Sequence, residues 1–301
     1  SAVDAGSLDG RGASTDADAS VRDADAWRPS FACDEIPVTE LGRSPTMFAI
    51  ADQALGADAR GWLAAWALYE GVFASRPGSP AVRLFDGASV AMRANDEGAL
   101  VCAWSLSGDA GRCVTLDAEL AAVGAPIDVD YGTALGFVHV GGTLHAIEPV
   151  LPAIGAPGSF ALVPVDARGQ RVGASIALPC GSHQWFLPPA WTGEVIACVV
   201  DASPSCDPLL ECPRSLRLVS PAGVPIAPDV PIPLVPPGPA PFPVQVGASG
   251  GAFLVSWIAP DGLHAMPVSA TGVAGRPPRV GAVAGPADHT IVGIEAGYAI
   301  V

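Results

Sequence analysis

The side chains able to do chemistry are few and scattered: five histidines, seven cysteines and 30 carboxylates, set against 15 basic residues that are all arginine. His183 and His289 stand ten and eight residues ahead of Gly193 and Gly297, at the start of strands expected to line a central channel. If the fold gathers them with Asp130 and Asp288, the cluster offers an imidazole and carboxylate set that can move protons or hold a metal. His145 and His264 share the contexts Leu144-His-Ala-Ile147 and Leu263-His-Ala-Met266, which read as one strand position set by a repeat. His139 lies inside a strand and is expected to hydrogen-bond within the core. Trp185 and Trp191 flank Pro188 and Pro189 and suit an aromatic platform for a sugar or peptide, or a cover for a sheet edge. Asp16-Ala-Asp18-Ala-Ser20-Val-Arg-Asp23 alternates oxygen ligands like a calcium loop, yet it lacks the central Gly and the Glu at the twelfth position. It reads as solvated linker. No Gly-x-Ser-x-Gly elbow, Lys-bearing phosphate loop or His-Glu-x-x-His is present, and neither a cofactor nor a metal site is expected.

The cysteines suggest oxidation rather than metal binding. Cys102 and Cys113 flank a turn, so they suit a bridge between neighbouring strands; Cys206 and Cys212 would close a small loop. Cys180 and Cys198 would tie the end of one unit to the central strand of the next, leaving Cys33 over. The spacing Cys198-x7-Cys206-x5-Cys212 fits no usual zinc knuckle. Three disulfides imply an oxidising compartment.

Two repeated signals supply the elements that must position these groups. Gly61, Gly98, Gly136, Gly193, Gly251 and Gly297 each open an apolar strand, at spacings of 37, 38, 57, 58 and 46 residues. Asp117-Ala-Glu-Leu120, Asp166-Ala-Arg-Gly169, Ser220-Pro-Ala-Gly223 and Ser269-Ala-Thr-Gly272 recur 49, 54 and 49 residues apart. Asp or Ser first and Gly fourth is the signature of a type I turn joining two strands, and the Leu120 copy departs from it. Apolar runs of four to seven residues between Gly/Pro turns favour strands over a helix at 51–70, where Gly56 and Gly61 intervene. The fold class is all-β: a six-bladed β-propeller of about four strands per blade. The sixth unit reaches only its second strand at Val301, so the alternating segment 31–41 is expected to pair with it and close the last blade. Segments 72–80, 142–158 and 201–214 look additional to the minimal unit. The run from Pro221 to Pro243, with ten prolines, cannot sit in central strands.

A net charge of −15 opposes phosphate backbones and anionic lipid, so nucleic acid is excluded as a partner, and no apolar run approaches a membrane-spanning length. Residues 1–30 carry Asp4, Asp9, Asp16, Asp18, Asp23 and Asp25 among Ala, Ser and Gly, with no large aromatic before Trp27. That composition reads as a flexible acidic tether ahead of a propeller domain at 31–301. The layout resembles bacterial surface lipoproteins and secreted propeller proteins, which implies a secreted or cell-surface location and a lipid anchor preceding Ser1. The function expected is non-catalytic binding of a protein, peptide or glycan through loops on one face. The alternative is a hydrolase or lyase of extracellular polymer, with His183, His289 and carboxylates at the channel mouth.

Overall fold

Gly61, Gly98, Gly193 and Gly251 all take positive φ, between +79° and +150°, and each lies at a turn into a strand that then runs apolar. At Gly98 an added Cβ would stand 1.9 Å from the Leu116 carbonyl oxygen, so only glycine lets the hairpin close there. The computed structural model describes residues 52–58, 60–68, 71–105, 110–151, 158–182, 188–201, 213–233, 244–259, 261–275, 279–281, 291–294 and 297–300, all within the unit Cys33–Val301. Residues 1–30 and the segment 31–41 lie outside that set.

Every described element is a strand or a turn. The first sheet joins β1 (Asp52–Asp58), β2 (Gly61–Leu68), β3 (Gly71–Ser75) and β4 (Val82–Phe85); the second joins β5 (Ser89–Asn95), β6 (Gly98–Trp104), β7 (Gly111–Asp117) and β8 (Ile127–Val129). In the third are β9 (Phe137–Val140), β10 (Thr143–Val150), β11 (Gly158–Val165) and β12 (Ile176–Ser182). The fourth has β13 (Ala190–Trp191), β14 (Ile196–Asp201), β15 (Arg214–Val219) and β16 (Val230–Pro231). β17 (Gln245–Ser249), β18 (Ala252–Ala259), β19 (Gly262–Ser269) and β20 (Arg279–Gly281) form the fifth, and β21 (Ile291–Ile294) pairs with β22 (Gly297–Ile300) in a two-stranded sixth. All pairings are antiparallel between sequence neighbours, so each sheet is a meander. The region 51–70 is β1 and β2, as the interrupting glycines require, and 72–80 and 142–158 contain ordinary meander strands, β3 and β10, rather than insertions.

The second strands β6 and β18 are almost wholly apolar and buried because both their faces are covered. On β6, Ala99, Val101 and Ala103 join a cluster with the first sheet, whereas Leu100, Cys102 and Trp104 join one with the third. Three further clusters lie between the third and fourth, fourth and fifth, and fifth and sixth sheets. At about 25 cal/mol per Å² these interfaces are the dominant favourable contribution to folding. Among its described residues the Pro-rich run contributes β16, a two-residue outer strand, which is where proline is tolerated.

The repeated turn joins third to fourth strands in the second to fifth sheets. Leu120, Gly169, Gly223 and Gly272 each donate from their N–H to the carbonyl three residues back, at 2.9–3.0 Å, with φ between +65° and +88°. Asp117 and Asp166 Oδ1 each accept two further backbone N–H bonds at 2.9 Å. Leu120 adopts the left-handed conformation despite its Cβ because its side chain is buried against the first and second sheets. These turns also mark the sheet boundaries. Gly169 of the third sheet sits on the second, where an added Cβ would lie 2.7 Å from Cys113 Sγ; Gly223 lies as closely on the Ala177 carbonyl oxygen of the third.

Two sequence expectations need correction. Gly136 precedes β9, a first strand; the hairpin position belongs to Gly142, at φ +81°, which is 44 residues after Gly98 and 51 before Gly193. His145 lies on β10, a second strand, and His264 on β19, a third strand, so their shared context does not mark one repeat position.

Candidate functional site

Strand alternation builds a groove between the second and third sheets. On β5, Val90, Met92 and Ala94 face the first sheet and Ala91 faces the third, so Arg93 turns toward the third as well. On β9, Val138 and Val140 face the fourth sheet and Phe137 the second, which turns His139 toward the second. Arg93 and His139 therefore look into one solvent-open groove of about 460 Å³. Leu100, Leu144 and Val165 form its apolar floor, and Asn95, Glu97, Thr115, Thr143 and Asp166 contribute to the rim.

Most of the rim is committed to holding itself. Asn95 Oδ1 accepts from the Glu97 and Gly98 N–H groups at 3.0 Å, Asp166 Oδ1 accepts from Arg168 and Gln170, and Thr115 Oγ1 reaches the Ala167 carbonyl at 3.5 Å. On the other face of β10 the buried His145 Nδ1 contacts the Thr143 carbonyl at 3.0 Å. Arg93 and His139 differ: neither side chain makes a hydrogen bond or ion pair among the described residues. Burial lowers the half-buried Arg93 guanidinium from its ordinary pKa, yet an arginine stays charged. His139 is also held below the ordinary imidazole value, first by burial and then by the charges of Arg93 and His145. The expectation that His139 hydrogen-bonds in the core is overturned; it is exposed at the groove.

The sequence-selected residues do not converge on this groove. Asp130 follows β8 and is exposed, with its Oδ1 3.8 Å from Arg171 Nε. Trp191, on β13, is half-buried and packed against the cluster that contains Cys180 and Cys198. His183, Trp185, Asp288 and His289 lie outside the described residues, as do Cys33, Cys206 and Cys212. Two disulfides are present among the described residues, as their sequence positions suggested. Cys102 and Cys113 are direct cross-strand partners on β6 and β7, and Cys180 on β12 reaches Cys198 on β14 in the next sheet. Among the described residues no three His, Cys, Asp or Glu side chains assemble as a metal site, and no helix is long and apolar enough to cross a membrane. Arg93 was missed in the sequence, although a lone charge within Ser-Val-Ala-Met-Arg-Ala-Asn was its available signal.

No protein-family model and no curated protein sequence matches the chain. Solved structures do. The subtype N11 neuraminidase-like protein of a flat-faced bat isolate from Peru superposes with a TM-score of 0.51 at 11% identity, over 82% of this chain and 80% of that one. The subtype N10 neuraminidase-like protein of a little yellow-shouldered bat isolate from Guatemala gives 0.50 at 9% identity, over 79% and 85%. The β-propeller domain of the Trilobed protease from Pyrococcus furiosus gives 0.44 at 8% identity, over 80% and 72%. At such identities the first two likenesses show the fold alone: the sheets are laid out as in a β-propeller.

Proposed function

We propose that this chain is a secreted or cell-surface β-propeller that binds a protein, peptide or glycan without catalysing a reaction on it. The observation that carries this reading is the meander topology. In each four-stranded sheet the first-to-second and third-to-fourth turns lie at one end of the strands. The second-to-third and sheet-to-sheet connections leave from the other. The longer connections, including 183–189, 202–213, 232–244 and 282–290, belong to that second end, and loops on a rigid scaffold are where binding residues concentrate. In sequence, His183 and Trp185 fall between β12 and β13, and Asp288 and His289 between β20 and β21, so these residues are proposed as part of the binding face.

On this reading the sixth hairpin gains its missing strands from the segment 31–41, giving six blades, and residues 1–30 form the acidic tether. Cys206 pairs with Cys212. Two disulfides support export, because cytosolic thiols are kept reduced. A glycan and peptide array probed with residues 31–301 tests the reading. Selective retention of one ligand class, lost on substituting Trp185 or His183, is the expected result; an array without retained ligands, or polymer cleavage in the same wells, would refute it.

A further inference from the structure

We propose that the groove between the second and third sheets is a binding site for a small ligand with one carboxylate on an apolar body, the carboxylate docking on Arg93 and His139. This site is separate from the binding face above, because its rim is built from turns at the opposite end of the strands. The Arg93 guanidinium is half-buried and has no hydrogen-bonding or ionic partner among the described residues. Its nitrogens face a solvent-open groove, so an anion can take the place of water on a guanidinium that the protein leaves unpaired. Its planar fork matches the two oxygens of a carboxylate, and the facing His139 ring adds a second donor. Leu100, Leu144 and Val165 leave an apolar floor for the rest of the ligand, and about 460 Å³ falls within the range of small-molecule sites.

Charge selects a carboxylate over phosphate. Facing the docking point are Arg93 and Glu97 from the second sheet, His139 from β9 and Asp166 from the turn after β11, while His145 lies on the opposite face of β10 and acts only through its charge. Arg93 supplies one fixed cation, enough to pair with one carboxylate, while the field of two rim carboxylates on a chain of net charge −15 opposes a dianion about twice as strongly as a monoanion. Because the anion favours protonated His139, binding strengthens as pH falls through the titration of that ring, until the ligand itself becomes protonated.

The test uses the full chain with hydrocinnamate, hydrocinnamyl alcohol and inorganic phosphate as probes, following the His139 ring signal by nuclear magnetic resonance. The signal is assigned with His139→Gln. Hydrocinnamate is expected to shift that signal saturably and raise the His139 pKa, while the alcohol and phosphate leave both unchanged. Arg93→Met, which keeps the aliphatic stem, should weaken hydrocinnamate binding at least about tenfold, and Arg93→Lys should weaken it less. Absence of a saturable shift, an equal shift from the alcohol or phosphate, or wild-type affinity in folded Arg93→Met would each overturn the proposal. Should Arg93→Met fail to fold, folded Arg93→Lys carries the test, and hydrocinnamate affinity unchanged from wild type in it would overturn the proposal.

Discussion

The third sheet has two neighbours and meets them differently. Against the fourth it is stitched: Cys180–Cys198 crosses the interface, and Arg217 of β15 donates to the Pro179 carbonyl of β12 at 2.7 Å. The remaining Arg217 donors hold Asp229 at 2.8 and 2.6 Å, an interaction that raises the arginine pKa despite its partial burial. Against the second sheet the disulfide Cys102–Cys113 stays within one sheet, and the Arg93 guanidinium meets no carboxylate or carbonyl among the described residues. The same meander and turn serve both interfaces. What differs is whether the arginine at the boundary finds partners in the protein, and this separates an interface built for stability from one left open for a ligand.

The largest test of this contrast is covalent. Cys180→Ser with Cys198→Ser should cost about 3 kcal/mol in urea unfolding, and the Cys102/Cys113 double substitution somewhat less, since its loop is shorter and its strands stay paired. The reverse order would break the contrast. The two arginines give a smaller effect: Arg217→Met should cost about 1–2 kcal/mol through its lost charge-assisted hydrogen bonds. Arg93→Met should stay within about 0.5 kcal/mol of the parent or exceed it, because no bond is lost and an uncompensated charge is removed. Equal losses at both arginines would make Arg93 as structural as Arg217.

The architecture was legible where a single residue type has one physical use. Gly98 and Gly169 occupy positions that need positive φ and tolerate no Cβ, and Asp166 satisfies two backbone donors, so these motifs named their turns without any long-range information. Cys102 and Cys113 were equally readable, because a turn between two short strands brings their ends together. Gly136 misled because a glycine before an apolar run precedes a first strand as naturally as a second, and only pairing distinguishes them. His145 and His264 failed for a related reason: alternation has a period of two in every strand, so a shared local context carries no strand order. The groove was the least legible feature. Arg93 and His139 are 46 residues apart, and their meeting depends on which sheet each strand face covers.

The claim that these two side chains share an open groove is tested most directly by the His139 pKa, measured by nuclear magnetic resonance in the parent and in Arg93→Met. Both burial and the neighbouring guanidinium act against the imidazolium. The folded protein therefore binds this proton less readily than the unfolded chain, and stability should decline as pH falls below the ordinary imidazole value. The account predicts a His139 pKa below 6.5 that rises when Arg93 loses its charge. A ring titrating at the ordinary value, unchanged by Arg93→Met, would contradict it.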